Sequence, residues 1–148
     1  MSFTGEFRHA IDAKGRLIVP SRMRDELTGS RVVLTRWLED CIAVWSQEGW
    51  DEMQTKLLSA GSSSRDARNF VRMVSSSAHE DEVDKQGRIT VPQRLRDLAG
   101  ITRDAIVIGA LNRGEIWSPE RWEQQRDSVD EEQFSDLAQA MSERGVNF

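Results

Sequence analysis

One motif occurs twice in this chain, 72 residues apart, and that repetition limits the fold more than any other feature. Asp12-Ala13-Lys14-Gly15-Arg16-Leu17-Ile18-Val19-Pro20-Ser21-Arg22-Met23-Arg24-Asp25 returns as Asp84-Lys85-Gln86-Gly87-Arg88-Ile89-Thr90-Val91-Pro92-Gln93-Arg94-Leu95-Arg96-Asp97. In the same register Val44-Trp45-Ser46 matches Ile116-Trp117-Ser118, Glu48 matches Glu120 and Trp50 matches Trp122, so the reading is a match without gaps. Two copies are too few for a solenoid, which needs at least about three stacked units. The 148 residues amount to about one domain, and half of that length buries too little surface for a core of its own. The repetition therefore predicts two half-domains sharing one core, a single chain with the symmetry of a dimer. DNA is pseudo-twofold symmetric, and proteins that read it often carry matching symmetry.

Charge narrows the partners. The net charge is −5, which argues against a surface that is basic all over. The distribution is uneven: residues 1–72 carry 11 basic and 10 acidic groups, and residues 73–148 carry 9 and 15. Arginines gather at the repeated motifs, which predicts a local cationic patch on an acidic body. Cys41 is the single cysteine, so no disulfide forms within the chain, and its setting in Cys41-Ile42-Ala43-Val44-Trp45 predicts burial rather than catalysis. The N-terminal residues lack the basic and apolar regions of a secretion signal. No apolar run approaches the roughly 18 residues of a membrane span. The expected location is the cytoplasm.

Each half reads as hairpin, short helix, hairpin. Glu6 to Ile11 alternates Phe7, His9 and Ile11 against Glu6, Arg8 and Ala10, the pattern of a half-buried strand. Asp12-Ala13-Lys14-Gly15 is a turn, with Asp to accept backbone N–H bonds and Gly to supply a positive φ. Leu17-Ile18-Val19 returns, Pro20 ends the strand, and a short helix with Met23 and Leu27 on one face runs to Gly29. Arg31–Arg36 and Cys41–Trp45 form the second hairpin. The other half repeats this with a helix through Leu98 to Gly100, then Ala105–Ile108 and Glu115–Trp117. Longer helices lie outside the repeats. Ser46 and Ser118 are good N-caps, with Pro119 at a first helical position. Trp50, Met53, Leu57 and Leu58 form one apolar stripe, and Gly61-Ser62-Ser63-Ser64 breaks that helix. Ala67, Phe70, Val71 and Val74 form the next stripe, opposite Arg65, Arg68 and Arg72. Asp130 to Arg144 is a third amphipathic helix carrying Phe134, Leu137, Ala138 and Met141. This is more apolar surface than a small domain covers, so Met53, Leu57, Phe70, Phe134 and Leu137 are candidate subunit contacts.

The chemistry available is cationic. Lys14 and Arg16 project from one turn, Lys85 and Arg88 from the other, and the planar fork of Arg grips phosphate or the O6/N7 edge of guanine. Asp12 and Asp84 would orient those arginines and tie down the turns. The plainer alternative is a structural Asp–Arg pair across a hairpin. Arg22, Arg24, Arg94 and Arg96 lie at the start of the short helices, either holding flanking phosphates or forming a solvated face paired to Asp25 and Asp97. The paired tryptophans read as core or subunit contacts, since their neighbours are apolar. His79-Glu80-Asp81-Glu82 lacks the ligand spacing of a known metal site and reads as an acidic solvated loop. No phosphate-binding glycine loop, nucleophile elbow or zinc-protease motif is present, so no active site, cofactor, metal or small-molecule substrate is expected.

Phe3-Thr4-Gly5-Glu6 together with the two Asp-x-x-x-Arg motifs resembles the MraZ family, bacterial transcriptional regulators encoded at the start of the division and cell-wall gene cluster. The resemblance spans nearly the whole chain. It implies an α+β fold, mainly β: an AbrB-like swapped-hairpin β-barrel of two tandem half-domains with peripheral helices. The divisions it implies are a first AbrB-like repeat over 5–47, connecting helices over 48–76, a second repeat over 77–120 and a C-terminal helical tail over 121–148. It also implies a nucleoid-associated ring-like homo-oligomer that binds double-stranded promoter DNA at short direct repeats, including those of its own gene. Asp12, Arg16, Asp84 and Arg88 match the motif ends. Lys14 fits the basic position of the first copy, whereas Gln86 in the second is neutral. The competing reading from another class is an oligomeric scaffold that binds protein partners through its helices. An enzyme is the third.

Overall fold

The computed structural model describes residues 2–60 and 63–148. Residues through Ser118 form one compact unit and Pro119–Phe148 a second. In the first unit, β1 (Glu6–Ala10) alternates exposed and half-buried residues as its sequence does. The Asp12 turn leads into β2 (Arg16–Ile18), and Pro20, lacking an N–H, stands ahead of α1 (Ser21–Arg24). β3 (Arg31–Arg36) and β4 (Ile42–Ser46) close the first half, and α2 (Gln47–Ala60) and α3 (Arg65–Ser77) follow. The second half is β5 (His79–Glu82), β6 (Arg88–Thr90), α4 (Gln93–Ala99), β7 (Asp104–Gly109) and β8 (Gly114–Trp117). The protein is thus mixed α and β, with antiparallel pairing throughout its sheets.

The halves pair with each other. One sheet runs β1-β7-β8-β4-β3-β5, and β2 pairs with β6 in a separate ladder. The first strand of each half therefore lies on the third strand of the other: β1 on β7, and β5 on β3. Exchanging β1–β4 for β5–β8 turns the strand order into its own reverse.

The register corrects the gap-free match. His9 faces Ala105, and its repeat partner Asp81 faces Val32, so Val32 corresponds to Ala105, 73 positions on rather than 72. By β4 and β8 the offset is 72 again, since Ile42 faces Ile116 and Val44 faces Gly114. The reason is burial. Val32-Val33-Leu34-Thr35 and Ala105-Ile106-Val107-Ile108 are the fully buried stretches of their strands, and a one-residue slip would turn each side chain to the opposite face. The loops absorb the difference.

A second correction concerns His79–Glu82, which is an edge strand and not a loop. Its repeat partners are Phe7–Ala10 of β1, and the backbone ladder to β3 forms regardless of four polar side chains. Charges on an edge strand also discourage pairing with further chains. A third correction shortens α1. It stops at Arg24, and Leu27 is buried from an extended backbone beyond it. Four residues close only one turn, too short for helical bonds to offset nucleation.

Two clusters hold the unit together. The larger draws on both halves: Leu17, Val19, Met23, Leu34, Ile42 and Val44 pack with Ile89, Val91, Leu95, Val107 and Ile116. The smaller lies under α2 and α3, where Val33, Ala43, Trp45, Trp50 and Val74 meet Trp37, Met53 and Leu57. Apolar packing on both faces explains why β3 and β4 read as continuous apolar runs. Trp45, wholly buried, donates its indole N–H to Thr35 Oγ1 at 3.1 Å. Met53 and Leu57 are half-buried against this cluster, whereas Leu58 leaves the stripe at 77% exposure. Ser46 Oγ accepts from the Gly49 N–H and Ser64 Oγ from the Ala67 N–H, starting α2 and α3. Of the expected Gly61–Ser64 break, Gly61 and Ser62 lie outside the described residues.

The second unit is α5 (Pro119–Asp127) and α6 (Glu131–Glu143). Asp130 and Gln133 form a reciprocal capping box at the start of α6. Phe134, Leu137 and Met141 are exposed along it. Among the described residues no helix is long and apolar enough to cross a membrane.

Leu34 is fully buried in the shared core. Its replacement by Ala is expected to cost about 2–5 kcal/mol in urea unfolding, against less than about 0.5 kcal/mol for Leu58→Ala at the surface. Equal losses would contradict the placement of these two residues.

Candidate nucleic-acid interface

Each Asp-x-x-x-Arg segment closes on its own aspartate. Asp12 Oδ1 accepts the backbone N–H groups of Lys14 and Arg16, both at 2.9 Å. Its Oδ2 accepts Arg16 Nε at 2.9 Å. The main chain seals the loop through Gly15 N–H to Asp12 O at 3.0 Å and Asp12 N–H to Arg16 O at 2.9 Å. Asp84 repeats the pattern with Gln86 N at 2.9 Å, Arg88 N at 2.8 Å and Arg88 Nε at 2.9 Å. The glycines take φ of 81° and 79°, the left-handed region open to Gly. Three residues thus separate a carboxylate from an arginine because the turn needs that length to bring them face to face.

These bonds hold both carboxyls below their ordinary value of 3.8. The main cause is the N–H of Arg16 for Asp12 and of Arg88 for Asp84, with the guanidinium bonds adding to it against partial desolvation. The arginine is thereby fixed at Nε, and its terminal amino groups remain for other acceptors.

The two tips are neighbours. Arg88 Nη1 stands 3.9 Å from Asp12 Oδ2, so the arginine of the second tip reaches the aspartate of the first. Val19 N–H donates to Gly87 O and Val91 N–H to Gly15 O, each at 2.8 Å, which extends the β2–β6 ladder to both glycines. Lys14, Lys85 and Gln86 are exposed, and Arg16 and Arg88 are half-buried.

The helix arginines are placed less uniformly. Arg22, Arg24 and Arg94 are exposed, whereas Arg96 is half-buried and donates Nε to Val91 O at 2.9 Å. Asp97, the expected partner of that face, accepts from Gln93 Nε2 at 2.7 Å. The guanidinium of Arg24 lies over Gly87 and that of Arg96 over Gly15, each against the tip of the opposite half. Nothing in the spacing shows this, because a repeated motif does not say which copy a side chain meets.

Sequence reasoning also passed over Glu115. It is buried in β8, where its carboxylate accepts Arg113 Nε and Nη2 at 2.9 and 2.8 Å and Trp117 Nε1 at 3.0 Å. Arg113 in turn lies over the Trp37 ring. Burial, then the Glu115 carboxylate, pushes the Cys41 thiol well above its ordinary range. Among the described residues no three His, Cys, Asp or Glu side chains group as metal ligands.

Comparison with known proteins decides the family. The model of the family described as MraZ protein matches the chain twice, over residues 2–73 and 75–145. The chain belongs to the MraZ family. Relatives named transcriptional regulator MraZ cover almost all of it. That of Ligilactobacillus salivarius is 48% identical over 139 residues, 94% of this chain and 96% of the relative. That of Halothermothrix orenii is 42% identical over 97% of this chain and 99% of its own length. That of Moorella thermoacetica is 44% identical, with 99% and 98% covered.

A carboxylate held below its ordinary value stabilises the fold above that range, and the contribution is lost as pH falls through the folded-state value. Carboxyl NMR titration should therefore place the midpoints of Asp12 and Asp84 below 3.8. Asp12→Asn and Asp84→Asn should each flatten the stability loss below about pH 4. Midpoints at or above the ordinary value would contradict the turn geometry.

Proposed function

We propose that the protein is a sequence-specific DNA-binding transcriptional regulator and not an enzyme, with the paired Asp-x-x-x-Arg tips as its contact surface. The observation that carries this reading is the adjacency of the two tips, which clusters Lys14, Arg16, Lys85 and Arg88 around two aspartates already occupied by the turns. A cationic cluster on an otherwise acidic chain favours phosphate and base edges over acidic protein surfaces. The printed function of the MraZ relatives agrees.

In the finer reading, the interleaved strands form an AbrB-like swapped-hairpin barrel of two half-domains, 5–47 and 77–120, with connecting helices over 48–76 and a helical tail over 121–148. Arg16 and Arg88 contact DNA, Lys14 and Lys85 assist, and Arg22, Arg24, Arg94 and Arg96 hold flanking phosphates. Asp12 and Asp84 act through their arginines. The targets are short direct repeats upstream of the division and cell-wall gene cluster, including the protein's own gene, and the protein works in the cytoplasm on the nucleoid. The two tips of one chain offer about three or four contacts, a shallow salt slope at roughly −0.9 per contact. Specific affinity then needs several subunits on regularly spaced repeats, where effective concentration multiplies weak contacts. Exposed Phe70, Phe134, Leu137 and Met141 support such a homo-oligomer, read as a ring.

A mobility-shift assay with DNA upstream of the protein's own gene, at two salt concentrations, tests this. Retention should depend on sequence and weaken with salt, and Arg16→Ala should abolish it without changing the sedimentation of the oligomer. Several regularly spaced repeats should bind far more tightly than one. Retention indifferent to sequence, or unaffected by Arg16→Ala, would leave the scaffold reading in its place.

A further inference from the structure

The helix arginines sit against the wrong tips, if each half is taken as its own reading unit. A Cβ on Gly15 would lie 2.9 Å from Arg96 Nη2, and a Cβ on Gly87 would lie 2.5 Å from Arg24 Nη1. Both contacts cross between the halves. They follow from the ladder: Gly15 O accepts from Val91, just ahead of the helix that carries Arg96, and Gly87 O accepts from Val19, just ahead of the helix that carries Arg24. Each glycine thus has two duties. It supplies the positive φ of its turn, and it leaves the space in which a guanidinium from the other half lies against the loop.

We propose that each DNA-contacting surface is a composite of the two halves: the Asp12–Arg16 tip works with Arg96, and the Asp84–Arg88 tip works with Arg24. This rests on the reading of the tips as DNA-binding and assigns which arginine serves which tip. Arg96 is already oriented, since its Nε is spent on Val91 O and its terminal amino groups lie beside Gly15. An arginine fixed before binding loses less side-chain freedom when it grips a phosphate. Arg24 is the more exposed of the pair. The two composites are therefore unequal: the first has the anchored arginine with Lys14 next to its glycine, and the second has the more exposed arginine with the neutral Gln86 at that position and Lys85 one residue earlier.

The test is a set of double-substitution cycles, read as Kd by fluorescence anisotropy on a duplex of the DNA upstream of the protein's own gene, at salt low enough that variants not retained in the mobility shift still bind measurably. Arg16→Ala with Arg96→Ala, and Arg88→Ala with Arg24→Ala, should lose about threefold less affinity than the product of the single losses, because neighbours sharing a ligand couple. The same-half pairs, Arg16→Ala with Arg24→Ala and Arg88→Ala with Arg96→Ala, should fall within about twofold of the product. Arg96→Ala should also flatten the dependence of log Kd on log salt by about 0.9, a change that misfolding alone does not produce, whereas Arg96→Lys should keep the slope. Sedimentation and melting of each variant separate loss of assembly from loss of contact. Same-half coupling as strong as cross-half coupling would overturn the proposal, and so would an unchanged slope in Arg96→Ala. Sequence-independent binding by the unsubstituted protein would instead overturn the proposed function, and shows before any substitution is made.

Discussion

Two backbone hydrogen bonds, from Val19 to Gly87 and from Val91 to Gly15, set how the tips of the two halves meet. Neither half can make them alone. They extend the short β2–β6 ladder until each turn is docked on the strand of the other half, and they leave the turn's polar groups facing outward. The adjacency of the tips, the reach of Arg88 to Asp12 and the placement of Arg24 and Arg96 all follow from that docking. An unpaired buried backbone group costs about as much as a lost hydrogen bond. A half-domain folding by itself would leave several unpaired and would lack the other side of its core.

The same division of labour recurs around the tips. The apolar side chains that follow each turn, Leu17, Val19, Ile89 and Val91, are buried in the shared core. The aspartate satisfies the turn's N–H groups and fixes the arginine at Nε, while the lysines remain exposed. Rigid backbone under a charged surface is the condition for contact at fixed geometry, because less freedom is lost on binding. The exposed pairs Arg8–Asp104 and Arg31–Glu82 add little, as ion pairs open to water generally do.

Much of this was legible in the sequence, and what was not has physical causes. The turns were readable because Asp and Gly at fixed spacing have one economical backbone solution. Ser46 starts its helix as its place before an apolar stripe suggests, and the last helix begins at Asp130, where the apolar spacing begins. The strand His79–Glu82 was misread because its composition is that of a loop, whereas its conformation is set by a partner strand far away in sequence. Counting along the repeat gave 72 where β3 and β7 need 73, since burial of an apolar run overrides sequence spacing. Leu58 continues the pattern of its helix but points away from the cluster that Trp50 and Leu57 join. The cross-half contacts of Arg24 and Arg96 have no local signal, because only the pairing between strands decides which tip each meets.

The halves of one chain are interleaved at the tips. Scalar couplings transmitted through hydrogen bonds in deuterated protein test it most directly. Such couplings are expected from the Val19 amide to the Gly87 carbonyl and from the Val91 amide to the Gly15 carbonyl. Couplings that join these amides only to carbonyls of their own half would contradict it.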